Sequence, residues 1–215
     1  MNNPDIQAAA AYAAAIVLAY LVGSIPFGLL IGRFYHIDIR KHGSGNIGAT
    51  NVTRVVGKWA GRICFFCDFL KGGLPVLAVH WFWRGQASAS LLAIGVALAA
   101  VLGHLFPVFL KFRGGKGVST AAGAALALAP LPLLTAAVVW AALFFSFGYV
   151  SLASIGAAVA LPVAAAIFSL FKIGGNVACS GSTLIFFVVV AALATLRHRE
   201  NIRRLLNGTE SRFRK

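Results

Sequence analysis

The stretch that decides the fold is residues 118–147, VSTAAGAALALAPLPLLTAAVVWAALFFSF, which contains no charged side chain. A helix that crosses a bilayer core of ~30 Å needs about 20 residues, so this run of 30 is long for one crossing. Pro130 and Pro132 interrupt it, and proline breaks or kinks a helix because it has no backbone N–H. The pattern therefore predicts two helices, 118–129 and 130–147.

The rest of the chain is equally apolar. Hydrophobic residues make up 60% of the 215 residues, and 19 Lys and Arg and 5 Asp and Glu carry the charge. Such a chain is not disordered, because disorder requires low hydrophobicity, and a soluble domain could not cover so much apolar surface. The composition predicts an all-α integral membrane protein in which residues 1–215 form a single polytopic membrane domain.

Further apolar runs are long enough to cross a membrane as helices. They cover residues 8–31, 60–83, 87–110, 151–171 and 180–196. Together with the two helices of 118–147, they predict seven transmembrane helices. The cytoplasmic motif segments would be residues 33–59, 111–117, 147–151 and the tail 197–215.

The basic residues predict the orientation, because cytoplasmic loops of membrane proteins are enriched in Lys and Arg. They concentrate in 33–59, 111–117 and 197–215, and the alternate connections contain Arg84 and Lys172. A net charge of +14 can also indicate nucleic-acid binding, but these charges fall in short blocks between apolar runs, which excludes a nucleic-acid partner.

Residues 118–147 decide whether the number of membrane crossings is odd or even. If they crossed once, the basic tail would lie outside, whereas two passes place every basic segment in the cytoplasm. We therefore predict that the N-terminus is outside and the C-terminus is cytoplasmic. Residues 118–129 would form one short helix after the second cytoplasmic loop, ~18 Å long at 1.5 Å per residue.

The first basic segment contains the glycine-rich run GSGNIGATNVTR, residues 43–54. Glycine lets backbone N–H groups converge on an anion, and hydroxyl and amide side chains add donors. A flexible loop of turn-forming residues is the alternative interpretation. The absence of acidic residues from the run favours an anion site. Its candidate binding residues are Ser44, Gly45, Asn46, Thr50, Asn51 and Arg54.

The second basic segment lies in the run GHLFPVFLKFRGGKGVST, residues 103–120. Gly114, Gly115 and Gly117 surround Lys116 at the start of the next predicted helix. A helix N-terminus with its positive dipole and a lysine suits a phosphate group. The alternative is an interfacial lysine that contacts lipid headgroups. Two glycine-rich basic loops on one membrane face favour two phosphates held side by side.

Two further segments are ambiguous by themselves. Ser151 stands at a predicted helix start, where a lone hydroxyl is usually an N-cap. The tail begins with RHREN, residues 197–201, which would also suit a basic amphipathic stretch on anionic lipid.

Ionisable residues also occur inside the predicted spans. Asp68 and Lys71 are three residues apart and share a helix face. Charges at that depth are paired, so a structural ion pair is predicted, with a proton relay as the alternative. His104, near the end of its span, is interpreted as a hydrogen-bonded strut in preference to a base, and it is counted among the candidate substrate-binding residues.

The acidic residues indicate no metal site, because no two of them have a ligand spacing suited to Mg²⁺ or Zn²⁺. They are Asp5, Asp38, Asp68, Glu200 and Glu210. No G-x-S-x-G motif is present, so the sequence lacks the usual motif of enzymes that form a serine acyl-enzyme.

Three long runs resemble the cytoplasmic motifs of the PlsY family, the bacterial acyl-phosphate:glycerol-3-phosphate acyltransferases; they are residues 43–54, 103–120 and 198–210. The run Asp68-x-x-Lys71-Gly72 is similar to that family's second span. The resemblance covers the whole chain in order. Two positions depart from it, Ile47 where proline is frequent and Gly148 where arginine is frequent.

The resemblance implies a seven-helix enzyme of the bacterial inner membrane whose active site faces the cytoplasm. It would move a fatty acyl group from acyl phosphate to the 1-hydroxyl of sn-glycerol 3-phosphate. The products would be lysophosphatidic acid and phosphate, the first step of phospholipid synthesis. We expect a monomer in membrane lipid that needs no cofactor, metal or acyl carrier protein. The residues implied to line the site are Arg54, Lys116, Ser151, His198 and Asn201.

Physical reasoning assigns a role to each of these residues. The group expected to hold the acyl phosphate is Lys116, Ser44, Thr50 and Asn51. The group expected to clamp glycerol 3-phosphate is Arg54, His198 and Ser151, because the donors of arginine form a fork. Asn201 or loop N–H groups would stabilise the oxyanion. Direct attack by the substrate hydroxyl is preferred over an acyl-enzyme, with His198 or a phosphate oxygen as the base.

A phosphate-ester transporter is the rival from another class. Transporters frequently show repeated halves and polar sites near the middle of the membrane. This sequence has no such repeat, and its polar motifs fall on one predicted face. The pattern therefore favours an enzyme.

Overall fold

The computed structural model describes residues 4–173 and 180–213, and the regular structure in these ranges is helical, which confirms the all-α class. Residues 214 and 215 of the basic tail lie outside the described residues. The α-helices are α1 (Pro4–Ser24), α2 (Phe27–Phe34), α3 (Ala49–Val55), α4 (Lys58–Phe82), α5 (Ala89–Leu105), α6 (Val118–Leu128), α7 (Pro130–Phe147), α8 (Val150–Leu170), α9 (Gly181–Arg197) and α10 (Arg199–Leu206). Single 3-10 turns lie at Ile39–Lys41 and Val108–Leu110.

The helices make this a multi-pass membrane protein. Among the described residues, five stretches are long and apolar enough to cross a bilayer: Asp5–Phe34, Lys58–Phe82, Ala89–Leu110, Pro130–Phe147 and Val150–Leu170. α9 and α10, which meet at a bend of 58°, would together make a sixth. α6 has 11 residues and is shorter than a bilayer core. Seven crossings and the orientation stay predictions.

The division of residues 118–147 into two helices is confirmed. Ala129 leaves the helical region, with φ −157° and ψ 88°, and α7 then begins at Pro130. Proline suits a first helical position because its missing N–H would have no partner there. The sequence did not predict a second break, at Pro26, which divides the first apolar run into α1 and α2.

The chain divides into two compact units, and the first is Met1–Ala124. Within it α5 packs along α1 and α4, and α3 packs on α4. α4 also lies directly against the start of α6, since a Cβ on Gly72 would be 2.0 Å from the carbonyl oxygen of Thr120. Small residues allow helix backbones to approach this closely in lipid.

A buried apolar cluster in the first unit attaches the polar segment between α2 and α4 to the membrane helices. Its members come from α2, the first 3-10 turn, the glycine-rich run, α3 and α4: Leu29, Ile39, Ile47, Val52, Ala60 and Cys64. The polar segment is therefore a packed structure with a fixed position on α4.

The second unit is Ala125–Lys215, in which α8 packs between α7 and α9 and α10 contacts α8 and α9. Gly148 ends α7 with φ +76°, a conformation that glycine adopts without strain. The tail after α10 folds back onto this turn, where the N–H of Phe213 donates to the carbonyl of Gly148 at 2.9 Å. The single domain expected from the sequence stays a prediction.

Candidate functional site

The first glycine-rich segment is organised by the side chain of Asn51. Its amide nitrogen donates to the carbonyl oxygens of Ile39 (2.9 Å) and His42 (3.2 Å), and its amide oxygen accepts the N–H of Ser44 (2.8 Å). Asn51 is 1% exposed, so these bonds satisfy a buried amide. Asn51 therefore shapes the loop, and its expected role as a substrate donor stays a prediction.

Tight turns bring the rest of this loop together. Gly43 has φ +60°, and a Cβ there would lie 2.3 Å from the amide oxygen of Asn51. Gly45 also has a left-handed φ of +67°. The side-chain oxygen of Asn46 accepts the N–H of Gly48 at 2.9 Å, just before α3 begins. Glycine is required here because other residues would be strained or would collide.

The polar side chains of this loop lie at its accessible side. Ser44 and Arg54 are exposed and Thr50 is half-buried. The preceding acid, Asp38, accepts two hydrogen bonds of 2.9 and 2.8 Å from the Arg40 guanidinium. These bonds hold the pKa of Asp38 well below its usual range, so its charge is already paired. The loop thus offers hydroxyl donors and a guanidinium to an anion.

The second glycine-rich loop is fixed to the end of α5. The N–H groups of Gly114 and Gly115 donate to the carbonyl oxygens of Leu105 (3.2 Å) and His104 (3.1 Å). A Cβ on Gly114 would lie 2.1 Å from the carbonyl oxygen of His104, and one on Gly115 would lie 2.2 Å from its Nε2. These two N–H groups therefore fix the loop, and the glycines are needed for close packing.

Lys116 follows immediately and is half-buried. Gly117 then turns the chain with φ +80°, and α6 begins at Val118. The first N–H groups of an α-helix have no carbonyl partner within the helix, and they carry the positive end of its dipole. A lysine beside such a helix start can neutralise and bind a phosphate group.

A buried ionic cluster lies behind this second loop. The Nζ of Lys71 is 2.7 Å from Oδ1 of Asp68 and donates to the carbonyl oxygen of Ile25 at 2.8 Å, so the predicted ion pair is confirmed. The Nδ1 of His104 is 3.6 Å from the same carboxylate oxygen. His104, a candidate substrate-binding residue, is 4% exposed and packs between Asp68 and Gly115, and its contact with substrate stays a prediction.

In the second unit, Glu210 connects two of the sequence-predicted residues. Its Oε1 accepts hydrogen bonds from Oγ of Ser151 (2.7 Å) and from Nδ2 of Asn201 (2.6 Å). Its Oε2 accepts one from Nε of Arg204 at 2.7 Å. The tail thereby joins the start of α8 to α10 through one carboxylate.

These hydrogen bonds determine the charge state of Glu210. Burial of the carboxyl raises its pKa, but the bonds from Ser151, Asn201 and Arg204 outweigh that effect, so its pKa lies below the ordinary value. The sequence did not point to Glu210 as a site residue. The available signal was its charge, because Glu210 follows Arg204 by six residues and is one of 5 acidic residues in a chain with 19 Lys and Arg.

His198 lies at the junction of α9 and α10 and is 3% exposed. Its Nδ1 is 2.8 Å from the carbonyl oxygen of Ala194. A carbonyl only accepts, so Nδ1 carries the proton, and in the neutral ring Nε2 carries the lone pair. This is the tautomer that a general base working through Nε2 requires.

The candidate residues thus form two sets. The first unit contains both glycine-rich loops, with Arg54 and Lys116 as their cations, and the second unit contains Ser151, His198 and Asn201. Among residues 4–173 and 180–213, no group of three His, Cys, Asp or Glu side chains could hold a metal ion. The first set suits anion binding, and the second offers oriented donors and an imidazole.

Comparison with known proteins identifies one family. Residues 13–208 match the family model described as glycerol-3-phosphate acyltransferase. The chain is 48% identical over 199 residues to the glycerol-3-phosphate acyltransferase of Aquifex aeolicus, covering 92% of this chain and 97% of the relative. It is 47% identical over 201 residues to that of Methylorubrum extorquens, covering 93% and 92%.

Two solved structures share the fold. Both are crystal structures of PlsY, an integral membrane glycerol 3-phosphate acyltransferase, at 43% sequence identity and covering 95% of this chain and 96% of the other. The glycerol 3-phosphate form superposes with a TM-score of 0.83, and the lysophosphatidic acid form with 0.80.

Proposed function

The chain belongs to the glycerol-3-phosphate acyltransferase family, and on that premise we propose that it uses acyl phosphate as the donor. The acyl group passes to the 1-hydroxyl of sn-glycerol 3-phosphate, giving lysophosphatidic acid and inorganic phosphate. The observation that carries this proposal is the half-buried Lys116 between Gly115 and the start of α6. A cation at a helix N-terminus suits a phosphate leaving group.

Lys116 and the first turn of α6 bind the phosphate of the acyl donor in this proposal. Expulsion of phosphate places extra negative charge on the bridging oxygen, and a cation held beside it stabilises that charge in the transition state. Ser44 and Thr50 add hydroxyl donors from the first loop. The half-buried position of Lys116 suits the acyl donor, because the acyl chain must lie among apolar helices while its phosphate stays paired with a cation.

Arg54 binds the phosphate of glycerol 3-phosphate. Its guanidinium presents a fork of donors that matches a phosphate dianion, and it is exposed at the end of α3. A water-soluble substrate arrives from solvent, so an exposed cation suits it better than a buried one. The difference in exposure between Arg54 and Lys116 supports the division of the two substrates between them.

The second unit supplies the residues that act on the reacting groups. Glu210 orients Ser151 and Asn201 by accepting one donor from each. The side-chain amide of Asn201 is a hydrogen-bond donor of the kind that stabilises a carbonyl as it becomes an oxyanion. His198 in the tautomer described above, or a phosphate oxygen of a substrate, accepts the proton of the attacking hydroxyl.

The reaction proceeds by direct attack. The donor is a mixed anhydride and already activated, so the substrate hydroxyl needs no acyl-enzyme intermediate. One C–O bond forms to glycerol 3-phosphate, the C–O bond to phosphate breaks, and the hydroxyl proton passes to the base. Metal ions are not needed, because Lys116 and Arg54 neutralise the phosphates.

The donor can be tested with purified protein in detergent. With labelled glycerol 3-phosphate in EDTA, acyl phosphate should give lysophosphatidic acid, and acyl-coenzyme A or acyl carrier protein thioesters should give none. Lysophosphatidic acid formed from a thioester but not from acyl phosphate would reject the proposed donor. Activity that is lost in EDTA and restored by Mg²⁺ would reject metal independence.

We also propose that both glycine-rich loops and the tail face the cytoplasm of a bacterial inner membrane. Single cysteines replacing Asn46, Arg113 or Asn207, in a chain without its native cysteines, should be shielded from an impermeant reagent in intact cells. One replacing Ala87, which is exposed between α4 and α5, should be labelled. External labelling at position 207 would reverse this orientation.

A further inference from the structure

Four buried side chains form what we call the Asp68 cluster: Cys64, Asp68, Lys71 and His104. The side chains of Asp68, Lys71 and His104 are 3%, 2% and 5% exposed, and Cys64 is fully buried. Asp68 lies at the centre, 2.7 Å from Nζ of Lys71 and 3.6 Å from Nδ1 of His104. Its other oxygen, Oδ2, is 3.7 Å from Sγ of Cys64.

The Asp68 cluster contacts the first glycine-rich loop through Cys64. Its Sγ lies 4.0 Å from the carbonyl oxygen of Ile47, which belongs to that loop. The neighbouring backbone leaves no space for movement, because a Cβ on Gly28 would lie 1.9 Å from the same oxygen and 3.2 Å from Sγ of Cys64. The cluster therefore determines how deeply this loop sits on α4.

The Asp68 cluster contacts the second loop through His104. The carbonyl oxygen of His104 accepts the N–H of Gly115, and the ring nitrogen Nε2 of His104 lies 2.2 Å from where a Cβ of Gly115 would be. Lys116 is the next residue along the chain. The imidazole lies between Asp68, 3.6 Å from its Nδ1, and Gly115, so its position affects where Gly115 and the following Lys116 lie against the end of α5.

Packing alone does not account for these charges. Ionisable side chains inside a membrane are costly, and replacing a buried ion pair by apolar residues of similar size is often neutral or stabilising. An ion pair requires a particular orientation of its groups, which an apolar contact does not. The ammonium group of Lys71 must reach both Asp68 and the carbonyl oxygen of Ile25. That orientation fixes α4 against the break between α1 and α2.

We propose that the Asp68 cluster is a positioning device that holds both glycine-rich loops in register on α4 and α5. It sets the spacing of Arg54 and Lys116 without contacting either substrate. This inference rests on the proposed function, in which those two cations bind the two phosphates. Asp68, Lys71, His104 and Cys64 are thus positioning residues of the acyl transfer.

The test compares two variants with a matched control. Asp68→Asn breaks the pair, and the double variant Asp68→Asn/Lys71→Met removes both charges, which avoids leaving an unpaired lysine. Val79→Ala is the control, because Val79 is a buried residue of the same helix, ~16 Å farther along it at 1.5 Å per residue. All three are purified and compared at equal amounts of folded protein.

For the positioning role, kcat/KM should fall on the order of 100-fold in both Asp68 variants, as expected for misplaced substrate groups, with KM raised for both substrates. Val79→Ala should lose thermal stability but keep both KM values. If the Asp68 variants lose stability as Val79→Ala does, with unchanged KM and kcat, the cluster is merely structural and the proposal is overturned.

Hydrogen exchange gives a readout that does not depend on the reaction. The amides of residues 43–54 and 114–117 should exchange faster in the double variant, while those of the turn at residues 147–151 keep the wild-type rate. Unchanged exchange in both loops overturns the proposal. Faster exchange in a protein whose wild type shows no acyl transfer upholds the positioning of the loops and rejects the proposed function.

The imidazole contact has its own pair of variants. His104→Asn places an amide nitrogen near the position of Nδ1, and His104→Phe fills the volume with no donor. Asn should retain at least tenfold more kcat/KM than Phe if the contact with Asp68 orients the second loop. Equal activities of the two variants, at equal folded yield, would show that His104 only fills space.

Discussion

The two units each gather their candidate residues around one carboxylate, and the two carboxylates lie in different surroundings. Asp68 is inside α4, where its side chain is 3% exposed and paired with Lys71 at 2.7 Å. Glu210 belongs to the tail after α10, where its side chain is 6% exposed and held by three hydrogen-bond donors. One carboxylate shapes backbone loops, and the other orients side chains.

The difference shows how the surroundings decide what a carboxylate can control. A charge within a membrane helix must stay paired, so its geometry is permanent once the helices have packed. A carboxylate on a tail has an alternative partner in water, so its contacts can open and close. We therefore expect the first unit to be rigid around Asp68 and the second to respond to pH and to changes in the tail.

The largest effect should come from Lys116, the cation just before the start of α6. Lys116→Ala removes the charge beside the start of α6 and should lower kcat by ~100- to 1000-fold, a typical cost of losing one transition-state donor. Arg113→Ala, an exposed basic residue of the same segment, is the matched control and should keep near-normal turnover. Equal activity of the two variants would identify Lys116 as an interfacial anchor only.

The next effect compares the two carboxylates directly. Asp68→Asn should lower the free energy of unfolding by ~3–5 kcal/mol, because it leaves a buried lysine without its partner. Glu210→Gln should cost about 1–3 kcal/mol, since it weakens hydrogen bonds to a charged group near the surface. Reversible unfolding of both variants in the same detergent measures the two losses in free energy and shows which is larger. A larger loss for Glu210→Gln would contradict the comparison.

Much of the first unit could be predicted from sequence because its signals are local. The spacing of Asp68 and Lys71 predicted their ion pair, and Pro130 predicted the start of α7; both are confirmed. The loop-shaping role of Asn51 was not predicted, because an asparagine in a polar loop is compatible with both substrate binding and loop shaping. Only the fold shows that its amide meets the carbonyls of Ile39 and His42.

The second unit was harder to predict because its contacts join distant parts of the chain. Ser151 and Glu210 are 59 residues apart, and nothing local to either one indicates the other. The bend between α9 and α10, which lets the tail return, has no proline to mark it. The family resemblance implied Ser151 and Asn201, but nothing in the sequence indicated which carboxylate accepts their hydrogen bonds.

An intermediate effect should distinguish the two cations of the first unit. Arg54→Lys keeps the charge but loses bidentate bonding, so it should raise KM for glycerol 3-phosphate about tenfold. KM for acyl phosphate should change little. Initial rates with each substrate varied in turn give both values. If only the KM for acyl phosphate rises, Arg54 binds acyl phosphate and Lys116 binds glycerol 3-phosphate.

A pH effect should arise in the second unit from Glu210. The pKa of Glu210 is lower in the folded protein than its ordinary value of 4.5. Its contribution to stability is therefore fully present above that value and is lost as the pH falls through the folded pKa. Thermal unfolding from pH 7 to pH 3 should show a steeper loss in the wild type than in Glu210→Gln. Parallel curves would assign the acid sensitivity to other groups.

The smallest effect should come from the end of the tail. Phe213→Ala removes a ring that lies 6.0 Å from that of Phe144, a contact worth ~0.5–1.5 kcal/mol. Docking of Glu210 should weaken slightly, and kcat should fall a fewfold at most. Leu206→Ala, at an 83% exposed position of α10, is the control and should leave kcat unchanged. Equal kcat values for the two variants would show that Phe213 does not affect the reaction.

Single-turnover phosphate release distinguishes direct transfer between two bound phosphate compounds from transfer through an acyl-enzyme. Purified protein in excess over acyl phosphate is followed first without and then with glycerol 3-phosphate. With direct transfer, phosphate appears only after glycerol 3-phosphate is added, in a 1:1 ratio with lysophosphatidic acid. A burst of phosphate equal to the bound donor before that addition, with the acyl group retained on the protein, would contradict it.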